Sequence, residues 1–148
     1  MNRILIFDDN QESLYMLEFL LKSSGFEVEK ATNGAEALLK ALENPPQMVI
    51  TDILMPEIDG YTLCREWMKN IELKAIPFIF YTATYTDPRD EHFALSLGAA
   101  KFIIKPQEPK KFLKILRDII KNYEKGQVPS TGKPVKSETV FLKNYNQT

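Results

Sequence analysis

The feature that most constrains this sequence is a rhythm: five times in succession a short strand-like run, apolar or alternating, is followed by a segment of helical period. The runs are Arg3–Asp8 (RILIFD), Phe26–Ala31, Met48–Asp52, Pro77–Thr82 (PFIFYT) and Lys101–Ile104. The first is almost continuously apolar, as expected of a strand covered on both faces. The fourth is rich in aromatic and β-branched residues, which suit a pleated surface. Between the runs the period lengthens. Leu14, Leu17, Leu20 and Leu21 recur at helical spacing, Met16 and Phe19 widen the stripe, and Gly25 stops the helix. Ala35–Leu42 is a short amphipathic helix closed by Pro45-Pro46, because proline gives the helical ladder no donor. Tyr61–Met68 and Arg89–Leu97 are the next helices, the latter ended by Gly98. A last helix, Pro109 to about Lys125, carries Phe112, Ile115, Leu116, Ile119, Ile120 and Tyr123 on one face.

Five βα units in a row imply an α/β fold: a parallel sheet sandwiched between two helical layers. Right-handed crossovers leave few windings, and the most economical is the flavodoxin-like strand order 2-1-3-4-5. Its crevice lies at the carboxyl ends of the strands, where the winding reverses between strands one and three. From Gly126 the character changes. GQVPSTGKPVKSET has two prolines, two glycines and almost no apolar periodicity, and reads as a linker. Val140-Phe141-Leu142 and Tyr145 then hint at another amphipathic helix. The expected division is therefore a domain over 1–125 and a linker or tail over 126–148.

The strand ends carry the chemistry. The first ends in Asp8-Asp9, the third in Asp52, the fourth in Thr82 and the fifth in Lys105. Alone, each has an ordinary explanation: Asp8 or Asp9 could cap the first helix, Thr82 is a β-former, and Lys105 a solvated charge. Together they bring three carboxylates, a hydroxyl and an ammonium to one rim. Three acids with a reference pKa of ~3.9 repel one another unless a cation joins them. Hard oxygen ligands without cysteine or histidine suit Mg2+ or Ca2+ rather than zinc. A divalent ion beside a carboxylate, a lysine and a hydroxyl is a phosphoryl-transfer arrangement, with Asp52 as the nucleophile that becomes an aspartyl phosphate. Composition adds no competing theme. With 148 residues, 44% hydrophobic, 26% charged and a net charge of −1, no overall field recommends nucleic acid or an anionic membrane. Met1-Asn2-Arg3 leads straight into the first strand, unlike a signal peptide, and no apolar run approaches the ~18 residues that span a bilayer. A lone Cys64 suits a reducing compartment, so a cytoplasmic location is expected.

The ordered set Asp8-Asp9, Asp52 in TDILMPEIDG, Thr82-Ala83 and Lys105-Pro106 resembles the receiver domain of two-component response regulators. The resemblance spans about residues 1–125 and implies a CheY-like fold. It implies that Asp52 is the phosphoacceptor, taking a phosphoryl group from a phosphohistidine of a histidine kinase or histidine phosphotransfer protein. Asp9, Asp52 and the backbone carbonyl of Leu54 would ligate Mg2+, and Asp8 would hold a metal-bound water. Thr82 and Lys105 would each contact a phosphoryl oxygen, Phe102 would move inward with Thr82, and the Lys105-Pro106 bond would be cis. No enzymatic activity beyond phosphorylation and dephosphorylation of Asp52 itself is implied.

Departures from the family matter at Leu54 and Thr84, whose positions edge the site. An apolar Leu54 cannot orient an attacking water, so a long-lived phosphoryl state is expected. Phe102 lacks a hydroxyl, so any switch there rests on packing. Other classes fit worse. A haloacid-dehalogenase-type phosphatase places its acids as Asp-x-Asp, whereas Asp8 and Asp9 are adjacent; a flavodoxin-like cofactor binder would not put two negative charges after strand one. Three contexts stay open: the front of a longer hybrid signalling protein, which the final segment favours, a stand-alone single-domain regulator, or a docking domain independent of phosphorylation. A homodimer through the fourth helix, fifth strand and fifth helix is a further alternative.

Overall fold

Successive residues of a strand face opposite sides of a sheet, and this chain fills both sides. The computed structural model describes residues 2–8, 10–53, 60–83 and 87–126. Its elements run β1 (Arg3–Phe7), α1 (Gln11–Ser23), β2 (Glu27–Ala31), α2 (Gly34–Glu43), β3 (Met48–Thr51), α3 (Gly60–Lys69), β4 (Phe78–Thr82), α4 (Pro88–Ser96), β5 (Lys101–Ile104) and α5 (Pro109–Glu124). All neighbouring strands pair in parallel, in the order β2-β1-β3-β4-β5. This is the expected flavodoxin-like winding.

One residue parity builds each layer. Leu5, Phe7, Val49, Phe78, Phe80 and Phe102 pack with Ala37, Ala41, Leu63, Cys64, Trp67 and Ala94 on the α2–α3–α4 side. Ile4, Ile6, Met48, Ile50, Ile79 and Ile103 pack with Leu14, Leu17, Leu21, Phe112, Leu116 and Ile120 on the α1–α5 side. One layer is thus lined by aromatic rings and the other by branched aliphatics. In the first, the Trp67 indole N–H donates to the Ile76 carbonyl at 3.2 Å, which satisfies its only polar atom.

Helix α1 corrects the sequence reading in one place and removes an ordinary alternative in another. Met16 and Phe19 are 64% and 66% exposed, with Tyr15 beside them, so they do not widen the buried stripe. At 100° per residue, Leu14, Leu17 and Leu21 share one narrow face, and positions 16 and 19 fall on the other side. The cap is also neither Asp8 nor Asp9. Asn10 caps α1, its side-chain oxygen accepting from the Ser13 N–H at 2.9 Å. Gly25 ends the helix region with a φ of 94°, the left-handed conformation that favours glycine. The expected linker from residue 127 onward and the 140–145 pattern lie outside the described residues.

Candidate functional site

Strands β1 and β3 are neighbours, with Phe7 opposite Thr51. Asp8 and Asp52, each one residue past its strand, therefore leave the sheet side by side at the winding reversal. A backbone bond from the Asp52 N–H to the Phe7 carbonyl, 3.3 Å, ties the two exits together. Lys105 follows β5, two strands from β3 and three from β1, and its stem reaches back past the end of β4. Its backbone N–H donates to the Thr82 carbonyl at 2.9 Å, locking the β4 and β5 ends.

The side chains converge. Lys105 Nζ lies 2.8 Å from Asp8 Oδ2 and 3.6 Å from Asp52 Oδ2. Each carboxylate is held at its other oxygen by a backbone donor: Asp8 Oδ1 accepts from the Asn10 N–H at 2.9 Å, and Asp52 Oδ1 from the Ile53 N–H at 2.6 Å. Freed from capping duty by Asn10, Asp8 is oriented from both ends. It is only 7% exposed, and the Asp52 and Lys105 side chains are 13% and 17% exposed. Charge-assisted bonds at such depth are stronger than their surface equivalents. Two carboxylates against one ammonium still leave an excess negative charge.

Thr82 is fully buried at the end of β4, between Asp52 and Lys105 in strand order. Phe102 is also buried, its ring 6.2 Å from that of Phe80 in the aromatic layer. The Lys105-Pro106 peptide is cis, as expected. The third acid, Asp9, and Leu54 lie outside the described residues, as does Thr84. Among the described residues no three acids, histidines or cysteines cluster as a metal group. The donor chemistry nevertheless fits a hard divalent cation: two adjacent carboxylates in negative excess, with the only thiol, Cys64, buried in the α3 core.

Two contributors escaped the sequence reading. The first is the reason for a glycine at position 60. Its φ is not in the left-handed region; the need is space. A methyl group there would collide with the Asp52 carbonyl oxygen and sit 2.9 Å from the Phe80 ring. Its N–H donates to the Ile53 carbonyl at 2.7 Å, so the start of α3 clamps the backbone that carries Asp52. The second is Tyr81, whose ring lies beneath the Lys105 ammonium. A tyrosine one residue before Thr82 was visible in PFIFYT, but nothing in the string connects it to a lysine on another strand.

Comparison with known proteins agrees with this fold. Residues 4–117 match the response regulator receiver domain family. The chain is 32% identical to the response regulator SaeR of Staphylococcus epidermidis over 148 residues, covering all of this chain and 63% of that protein. Some other curated relatives are spanned to about half their length, and one is spanned almost entirely. Among solved structures, a CheY-like response regulator receiver domain protein from Methanospirillum hungatei superposes with a TM-score of 0.75 at 29% identity, covering 85% of this chain and 98% of that one. The receiver domain of a sensor histidine kinase from Pseudomonas aeruginosa PAO1, with magnesium coordinated in its active site cleft, gives 0.73 at 26% identity over 80% and 97% of the two chains. No helix among the described residues is long and apolar enough to cross a membrane.

Proposed function

The chain belongs to the response regulator receiver domain family of two-component systems, and from that premise we propose that Asp52 accepts a phosphoryl group from a partner phosphohistidine. The observation that carries this reading is the convergence of Asp8 and Asp52 on the Lys105 ammonium from three separate strand ends. An Asp52 carboxylate oxygen attacks phosphorus, a P–O bond forms and the N–P bond breaks. The electron pair returns to the imidazole nitrogen, which takes up a proton. Lys105 exchanges a carboxylate partner for a phosphoryl oxygen, and the Thr82 hydroxyl contacts a second. Asp9, Asp52 and the Leu54 carbonyl are the residues that would hold Mg2+, with Asp8 acting through water. When bound, the ion neutralises charge that builds on the transferring oxygens. The related kinase receiver with magnesium in its cleft supports that assignment.

The partner on this reading is a histidine kinase or histidine phosphotransfer protein, and the output is a change of protein-interaction surface. Thr82 and the already buried Phe102 are the elements that would carry the change. Both the division into a receiver over 1–125 with a following linker, and a place at the front of a longer signalling protein, belong to the same proposal.

Intact-mass analysis after incubation with acetyl phosphate tests it. The native chain should gain one phosphoryl group in Mg2+ and none in excess chelator, and Asp52→Asn should gain none in either. Labelling that ignores the metal or persists in the variant, or none in the native chain, contradicts the proposal.

A further inference from the structure

We propose that Tyr81 is a positioning residue for Lys105, an inference that rests on reading Lys105 as the cation that pairs with the phosphoryl group. Lys105 follows β5 and must extend past the ends of β4 and β3 to meet Asp8. Both ends of that reach are referenced to consecutive residues of β4. The backbone N–H is bonded to the Thr82 carbonyl, and Nζ lies 5.3 Å from the centroid of the Tyr81 ring. That distance is within range of a cation–ring attraction.

The ring is itself held. It stacks on Phe112 of α5 with centroids 4.5 Å apart and planes 26° from parallel. Tyr81 shares strand parity with Ile79, so it faces the α1–α5 layer, half-buried beneath the rim. The ammonium therefore has carboxylates on one side and a fixed aromatic face among its other neighbours.

A ring suits this place for a chemical reason. It attracts the cation through its π face without accepting any of the three strong N–H donations a lysine can make. Those donors stay available for oxyanions. A third carboxylate beside Nζ would compete with the phosphoryl oxygens. An aliphatic side chain would fill the space and attract nothing.

The test combines kinetics of Asp52 phosphorylation by acetyl phosphate in Mg2+ with NMR. Tyr81→Leu should slow phosphorylation about three- to tenfold, whereas Tyr81→Phe, which keeps the ring face, should stay within about twofold. In a Lys105→Met background, Tyr81→Leu should cost nothing further, because the seat has no occupant. In the unmodified chain the Lys105 ε-methylene protons should show an upfield ring-current shift that Tyr81→Leu abolishes. Equal rates for the Leu and Phe variants, a full additional loss in the Lys105→Met background, or unshifted ε-protons each overturn the proposal. If the native chain takes no label, the phosphoacceptor reading fails instead, and the ε-proton shift, which needs no phosphorylation and no variant, still decides the seat.

Discussion

Asp8 and Asp52 each bind a backbone N–H with one oxygen and face Lys105 with the other, so their orientation is fixed before any ligand arrives. Preorganised charge of this kind costs no rearrangement when the transferring group enters. Two further residues carry predictions at this scale. Leu54 offers no hydrogen bond to a water attacking the phosphoaspartate. Leu54→Asn should speed its decay by about fivefold, the ~1 kcal/mol of one added hydrogen bond. Equal or slower decay in the variant, followed by loss of phosphoryl mass, would remove the case for a long-lived state. Cys64 is the other. Burial pushes its thiol up to about 12, opposed weakly by the nearby charge of Arg65. Its pKa is raised in the folded chain, so the thiol is neutral in both states below about pH 9 and stability there is undiminished. As pH climbs towards 12 the unfolded chain releases a proton that the folded chain keeps, and stability falls. Denaturation curves should lose midpoint over that window, and Cys64→Ala should flatten the loss. Rapid thiol labelling of the folded protein at pH 8 would contradict the assignment.

At the scale of elements, the start of α3 matters most, because it abuts the backbone of Asp52. Gly60→Ala must push the start of α3 away from the Asp52 carbonyl and the Phe80 ring, or displace both. Overpacking of this kind costs about 1–3 kcal/mol, and we expect both a lowered Tm and slowed phosphorylation of Asp52. A variant with native Tm and native rate would show that the clamp is dispensable. The sequence disclosed a glycine here but not its purpose, since the purpose is a contact with residues 52 and 80 that only the packed fold creates. The reverse happened in α1. Met16 and Phe19 look like core by composition, yet the angular position set by Leu14, Leu17 and Leu21 turns them to solvent. Asn10 escaped notice as the cap because two aspartates with equal capping propensity precede it. Only the folded chain shows that Asp8 is engaged with Lys105.

Across the whole molecule, the fold was legible because both periodicities were strong and uninterrupted. Strand parity sorts residues such as Phe80 and Ile79 into different layers, and the repeated crossovers then leave one economical winding. The rim was legible for the same reason: once strand order is fixed, residues just past β1, β3 and β5 have to meet at one edge. What the string could not convey was reach. A lysine two strands from Asp52 and three from Asp8 finds them only because its stem passes the end of β4, over a tyrosine whose role depends on that crossing. The central claim is that this edge makes the carboxylate of Asp52, and no other, reactive towards phosphorus. Borohydride reduction of the acyl phosphate followed by peptide mapping tests it most directly, because reduction converts the phosphorylated aspartate to homoserine and marks its position. We predict homoserine at position 52 alone, formed only when phosphodonor and Mg2+ were both present. Homoserine at position 8 or elsewhere, or none after full exposure to the donor, would contradict the account.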